Sequence, residues 1–327
     1  MATEGSSVRS PMNKIPQGRI LVTGATGFLG RAVMAHLCEL GADPIGVSRH
    51  PPAQPAAFDR TESNAAEFDW RGLDLLNDDL VTFLDQVKPG AIIHCAGSTR
   101  NPVTSDEWTD CIAGNLTATE RLLSAAAGCH PAPRVVVVSS AAIYAPLADD
   151  QRWIDEQAAW CPSSRYGVAK AAATMLANLE VTRGVVPVAI GIPFNILGPG
   201  QPGHQVPQTF IDRLRTGPDS LDVGDLSAIR DWLDIRDVAQ ALVALADSDT
   251  PCGLYNIASG QGISVQELLE RTIALSGTTP EIHVESKRSQ HSPISRSIGN
   301  PSKLQEIIGW RPKYSLDESL RSMFDYP

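Results

Sequence analysis

The sequence predicts an α/β fold, a doubly wound parallel sheet with a smaller, discontinuous C-terminal lobe. Three observations carry this. Short β-branched runs alternate with stretches of helical periodicity, the alternation that produces a parallel sheet. A glycine-rich turn joins the first such run to the first helical stretch. Beyond Asn195 the texture changes to the Gly- and Pro-rich "ILGPGQPGHQVPQ", followed by shorter and less regular elements.

Taken in order, residues 1 to 17 are polar, small and without periodicity, which reads as a flexible leader. "RILVTG" is a short buried strand, "FLGRAVMAHLCELG" an amphipathic helix closed by Gly41, and "PIGVSR" a second strand. "WRGLDLLN" carries a third short strand with Asp74 just after it, and "AIIHCAG" and "RVVVVSS" are further buried strands with the helical "NLTATERLLSAAAG" between them. A helix holding Tyr166 and Lys170 follows, then the strand "VVPVAIGIPFN".

Composition narrows the function classes. A net charge of −10 argues against binding nucleic acid or an acidic membrane, so an anionic ligand must be met by a few placed arginines. There is no apolar run of transmembrane length and no hydrophobic signal core in "MATEGSSVRSPMNK", so a cytoplasmic protein is expected. The six cysteines show no C-x-x-C and the seven histidines are isolated. We expect reduced, mostly buried thiols and no metal site.

"VTGATGFLG" sets Gly24, Gly27 and Gly30 at the turn from strand to helix. Such glycines allow a tight turn and close approach of a pyrophosphate to the helix N-terminus, the Rossmann pattern for a dinucleotide. An acidic residue ending the second strand would select NAD through the ribose 2′-hydroxyl. Here Ser48 and Arg49 stand there, which suits a 2′-phosphate, so NADP(H) is expected with NAD(H) as the alternative. Asp74 and "HCAG" occupy loop positions at strand ends, where ligands lie in open parallel sheets; Asp74 serves equally well as a turn or cap residue. Tyr166 and Lys170, four apart, share one helix face. Taken alone, that spacing is usually a helix with a surface lysine.

In order and spacing, "VTGATGFLG", "GLDLL", "HCAG", "GNLTATERLL", "VVVVSSAAIYA" and "YGVAK" resemble the extended short-chain dehydrogenase/reductases that act on nucleotide sugars, the NAD-dependent epimerase/dehydratase family. "IPFNILGPGQ", "VGDLSAIRDWLDIRDVAQAL", "GLYNIASGQGISVQELLE" and "NPSKLQEIIGWRPKYSLDESL" extend the resemblance to about Leu320. It looks most like the branch that reduces GDP-4-keto-6-deoxy-D-mannose to GDP-rhamnose.

The resemblance implies roles. Tyr166 is the general acid, and Lys170 holds the nicotinamide ribose and lowers the tyrosine pKa from its ordinary value of about 10. Ser140 hydrogen-bonds the reacting oxygen, with Ser139 beside it as the competing assignment. Gly24, Gly27, Phe28, Leu29, Gly30, Ser48, Arg49, Asp74, Leu75, Cys95, Ala96, Gly97, Asn115, Tyr166, Lys170 and Pro193 line the cofactor. Substrate contacts fall to Thr99, Ser140, Ala141, Asn195, Val206, Arg230 and Arg288. Asn195 and Arg230 meet the diphosphate, for which a bidentate guanidinium is well shaped, although Arg230 beside Asp231 also reads as a plain ion pair.

Residues 18–193 and 231–258 then form the NAD(P)-binding domain, and 194–230 and 259–327 the substrate-binding lobe. The helices around Asn115 and Tyr166 resemble those of a four-helix homodimer interface. Sugar-nucleotide 4,6-dehydratases carry Asp-Glu after the catalytic hydroxyl; here Ala141 and Ala142 stand there, which disfavours dehydration. The expected activity is NADP(H)-dependent reduction of a 4-keto-6-deoxy nucleotide sugar. An NAD-dependent 4-epimerase, or a non-catalytic NADP-binding redox sensor, are the alternatives. Ile192 replaces the arginine usual before "PFN", and Gln290, His291, Ser292 and Pro293 replace the usual residues after Arg288. GDP, dTDP, UDP and CDP sugars therefore stay open.

Overall fold

The computed structural model describes residues 16–52, 69–147, 151–284 and 294–326. The first half builds β1 (Ile20–Thr23), α1 (Phe28–Glu39), β2 (Ile45–Ser48), β3 (Asp69–Gly72), α2 (Leu80–Val87), β4 (Ala91–His94), α3 (Ser105–Ile112), α4 (Ala118–Ala127), β5 (Arg134–Val138), α5 (Arg165–Arg183) and β6 (Val188–Pro193). It continues with β7 (Asn195–Leu197), α6 (Val206–Leu214), β8 (Ser220–Val223), β9 (Ile229–Arg230), β10 (Trp232–Asp234), α7 (Ile235–Leu245) and β11 (Gly253–Ile257). The last stretch holds β12 (Ile263–Ser264), α8 (Val265–Ser276), β13 (Glu281–Val284), β14 (Arg296–Ser297), α9 (Ser302–Ile308) and α10 (Leu316–Asp325).

Seven strands form one sheet in the order β11-β6-β5-β4-β1-β2-β3, and every pairing is parallel. The β-branched runs explain it: strands buried on both faces need apolar residues at every position rather than at alternate ones. Leu21, Ile45, Val47, Ile92, Val135 and Val137 face α2, α4 and α5, while Ile20, Val22, Ile93, Val136 and Ala189 face α1 and α7. Each side chain of α1 such as Val33 or Leu37, fully buried, contributes roughly 1.5–3 kcal/mol. The strand order reverses between β1 and β4, which opens a crevice at their carboxyl ends, the usual ligand position in such sheets.

The smaller elements form three short sheets, β10-β7, β12-β9-β14 and β13-β8, over a separate cluster built from α6, α8 and α10 around Phe210, Leu214, Leu268 and Leu320. Two details cross the expected lobe boundaries. Leu304, Ile308 and Trp310 pack with Val238 and Leu242 in the large-sheet cluster, and Trp310 donates to the Asp237 carbonyl at 3.1 Å. β10, conversely, pairs with β7 alone among the described residues. All six cysteines are free, but only Cys111 is buried; Cys161 and Cys252 are exposed, because both sit in loops rather than on a strand or helix face. The expectation of mostly buried thiols is corrected accordingly.

Candidate active site

The glycine turn is shaped by contact with the next strand end. Gly24 has φ +66°, and a Cβ there would meet the Ala96 backbone at 2.7 Å. Gly30 is tighter still, since its Cβ would lie 2.1 Å from the Gly24 carbonyl oxygen. Only glycine lets helix and turn close in this way. α1 starts at Phe28 with no side-chain cap, so the amides of Phe28, Leu29 and Gly30 stand at the crevice as helix N-terminal donors, a fit for a pyrophosphate.

At the end of β2 the Ser48 hydroxyl is buried with no hydrogen-bond partner among the described residues, and Arg49 is exposed beside it. An orphaned hydroxyl next to a guanidinium fits a 2′-phosphate. Asp74 is held by its own loop: its carboxylate accepts from the Leu76 amide at 3.0 Å and from Asn77 Nδ2 at 2.8 Å. Those bonds keep its pKa below the ordinary carboxylate value. Leu75 is buried in the core.

Cys95, Ala96 and Gly97 leave β4 alongside Gly24, with the Cys95 amide on the Thr23 carbonyl at 3.1 Å. Asn115 lies behind them. The sequence reads "NLTATERLLSAAAG" as helical; in the structure Ala113–Thr117 is a π-helical turn between α3 and α4. The widened turn puts Asn115 Nδ2 on the Cys111 carbonyl (2.9 Å) and the Ser98 carbonyl (3.2 Å). Asn115 Oδ1 is buried, and a Cβ at Gly97 would meet it at 2.6 Å. Such turns recur at functional sites.

Tyr166 sits in the first turn of α5, whose cap Ser164 accepts from the Gly167 amide at 3.0 Å. A Cβ at Gly167 would lie 2.6 Å from the Ala142 carbonyl oxygen, so glycine lets this turn press onto the Ser140–Ala142 segment. As a result Ser140 hydrogen-bonds the Tyr166 phenol. Ser139 faces away, its hydroxyl 2.6 Å from Thr174 Oγ1 in the core, which removes the competing assignment. Asn101, which the sequence reading passed over, accepts from the Tyr166 amide at 3.2 Å.

Lys170 follows one turn later, is 8% exposed, and donates to the Val138 carbonyl at 2.5 Å. Burial pushes its pKa down to about 8. The expectation that Lys170 pulls down the Tyr166 pKa is not met in this arrangement. Burial raises the phenol, Cys111 adds to the rise, and the Ser140 hydrogen bond opposes it. A phenol in this state is protonated at neutral pH and can give a proton.

Further along, Pro193 ends β6 and Asn195 begins β7, with Asn195 N and Nδ2 on the Asp231 carbonyl at 3.0 and 3.2 Å. Arg230 donates to the carbonyls of Ile294 (2.8 Å), Ser295 (3.4 Å) and Ile229 (2.9 Å). It does not pair with Asp231, because neighbouring residues of an extended chain point to opposite faces. Thr99 is exposed, Ala141 is half-buried in a 3₁₀ turn, and Val206 opens α6 at the surface. Arg288 and the Gln290–Pro293 stretch lie outside the described residues. Among the described residues no group of three or more His, Cys, Asp or Glu is placed to hold a metal.

Comparison with known proteins agrees with this geometry. The pattern of the NAD dependent epimerase/dehydratase family matches residues 20–258. GDP-6-deoxy-D-mannose reductase of Pseudomonas aeruginosa is 29% identical over 315 residues, covering 93% of this chain and 95% of its own. The solved structure of RMD from Pseudomonas aeruginosa complexed with NADPH superposes with a TM-score of 0.76 at 26% identity, over 94% of this chain and 98% of that one. MoeE5 in complex with UDP-glucose and NAD gives 0.80 at 27% identity, with the same coverage. A nicotinamide cofactor suits the crevice, and the chain belongs to the NAD dependent epimerase/dehydratase family, the extended short-chain dehydrogenase/reductases, as an enzyme of nucleotide-sugar modification.

Proposed function

We propose that this enzyme is an NADP(H)-dependent reductase that converts the 4-keto group of a 4-keto-6-deoxy nucleotide sugar, of the GDP-4-keto-6-deoxymannose type, to a hydroxyl. The observation that carries the reading is the meeting of Tyr166, Ser140 and buried Lys170 at the start of α5, with alanines at 141 and 142. A carbonyl reduction needs a proton donor at the oxygen and nothing more from the side chains, whereas elimination of water needs an added acid and base.

The cofactor supplies hydride to the carbonyl carbon. Tyr166 gives its proton to the carbonyl oxygen while Ser140 hydrogen-bonds that oxygen, and Lys170 holds the ribose hydroxyls. The amides of Phe28, Leu29 and Gly30 take the pyrophosphate, with Ser48 and Arg49 on the 2′-phosphate, Asp74 and Leu75 toward the adenine side, and Cys95, Ala96, Gly97, Asn115 and Pro193 along the remaining wall. Asn195, Arg230 and Arg288 take the sugar-nucleotide diphosphate, and Thr99, Ala141 and Val206 line the rest of its path. The likeness to GDP-6-deoxy-D-mannose reductase of Pseudomonas aeruginosa favours GDP, and an equal identity to dTDP-6-deoxy-L-talose 4-dehydrogenase of Kitasatospora kifunensis makes dTDP the next base to test.

Val168, Met175 and Leu179 are 45%, 61% and 50% exposed at helical spacing along α5, an apolar stripe that fits a homodimer through α4 and α5. A light-scattering mass of one chain at micromolar concentration overturns the dimer. Free thiols suit the cytoplasm, and among the described residues no helix is long and apolar enough to cross a membrane. The function is tested by following NADPH and NADH oxidation with 4-keto-6-deoxyhexoses on GDP, dTDP, UDP and CDP. Rapid oxidation of NADPH with one base is the expected result. Interconversion of C4 epimers with no oxidation contradicts it.

A further inference from the structure

The buried carboxylate of Asp231 belongs to no step described so far. It is fully inaccessible to solvent. Oδ1 accepts from the Ser259 amide at 2.9 Å and the Ser259 hydroxyl at 2.6 Å; Oδ2 accepts from the Gly260 amide at 2.9 Å and the Gly299 amide at 3.2 Å. Burial pushes its pKa up to about 6 against these four bonds, which leaves it anionic at neutral pH. Only a carboxylate offers four acceptor positions and no donor.

What these bonds connect is informative. Gly260 has φ +77° and hands its carbonyl to Trp153 Nε1 at 2.9 Å, so the turn is a fixed object. Gly299 is equally constrained, since a Cβ there would meet Ala258 Cβ at 2.4 Å and the Phe194 ring at 2.5 Å. The backbone of Asp231 meets the other partners: its amide donates to the Ser297 carbonyl at 3.0 Å, and its carbonyl accepts from both nitrogens of Asn195. Asp231 is thus the junction of β7, the β9–β14 pair, the Ser259–Gly260 turn and Gly299, and it directly follows Arg230.

We propose that Asp231 is the positioning residue of the diphosphate site, its carboxylate locking the 259–260 turn and Gly299 against the strand so that Arg230 and Asn195 are held in one geometry. The proposal rests on the reading that Arg230 and Asn195 take the nucleotide diphosphate. Pre-organisation of this kind acts on affinity, because a loose binding pair must be ordered when the ligand arrives. In Asp231→Asn an amide group faces backbone donors and at least one bond is lost.

The test is calorimetric titration of GDP, dTDP, UDP, CDP and NADPH into the full-length wild type, Arg230→Ala, Asp231→Asn and Ser259→Ala, with steady-state kinetics alongside. Expected is a loss of roughly tenfold or more in affinity for the preferred nucleoside diphosphate in Arg230→Ala and Asp231→Asn, and a smaller loss in Ser259→Ala. NADPH affinity stays at the wild-type value throughout, and KM for the sugar nucleotide rises with kcat little changed. Wild-type diphosphate affinity in folded Asp231→Asn, with Arg230→Ala impaired, overturns the positioning role alone. If Asp231→Asn does not fold, unchanged affinity in Ser259→Ala overturns it. An equal loss of NADPH affinity also overturns it. Unchanged affinity in Arg230→Ala, or no nucleoside diphosphate bound by the wild type, removes the underlying reading and the inference with it.

Discussion

Lys170→Met separates what the site needs from what the fold prefers. The ammonium is almost wholly buried and its pKa falls from 10.5 to about 8. That depression corresponds to roughly 3 kcal/mol by which the charged side chain opposes folding at neutral pH. The variant also gives up the hydrogen bond to the Val138 carbonyl, which returns about 1 kcal/mol. In protein freed of nicotinamide cofactor, Lys170→Met is therefore about 2 kcal/mol more stable than wild type at pH 7. The sign with pH follows from linkage. A lysine whose folded pKa is depressed costs its full amount below about pH 8, and the cost fades as pH rises toward 10.5, where the unfolded lysine also loses its proton. Urea unfolding of both proteins at pH 7 and pH 10 measures the difference, which should shrink at the higher pH. Turnover is lost in the variant. A less stable Lys170→Met at pH 7, or a difference independent of pH, refutes the reasoning.

Three further outcomes are expected. Tyr166→Phe keeps cofactor binding but loses turnover by about 10²–10⁴-fold, the usual reach of a positioned proton donor; stopped-flow turnover beside cofactor titration checks it, and near-normal turnover removes the assignment. Gly30→Ala drives a Cβ to 2.1 Å from the Gly24 carbonyl oxygen; because both partners are backbone, it should cost about 1–3 kcal/mol of stability and weaken cofactor binding, read by thermal unfolding and titration. Arg49→Ala should lower affinity for NADPH and leave that for NADH nearly unchanged, as seen by fluorescence titration.

Much of this was legible in the sequence because the signals were local. Runs such as Val135–Val138 suit a buried strand in this context, and the glycines at 24 and 30 are demanded by close approaches only they permit. The Tyr166–Lys170 pair was visible as spacing, but its surroundings were not: the order of influences on the phenol depends on burial, which no period reveals. Asn115 shows a different limit. The residues from Ala113 to Thr117 suit α-helix and π-turn alike, and only the fit against Gly97 and Ser98 chooses between them. Ser139 and Ser140 were told apart by facing, one into the core and one onto the phenol. Asp231 was read as a possible partner of Arg230, and the alternation of an extended chain instead sends it to three backbone amides and a hydroxyl distant in sequence.

The most direct test of the central claim is isotope transfer from NADPH deuterated at nicotinamide C4 to the sugar nucleotide that supports oxidation. Reduction predicts one deuterium at C4 of the product sugar for each NADP⁺ formed when the transferred hydrogen carries the label, and transfer about 10²–10⁴-fold slower in Tyr166→Phe. Product epimerised at C4 without deuterium, and with NADPH unconsumed, contradicts the account.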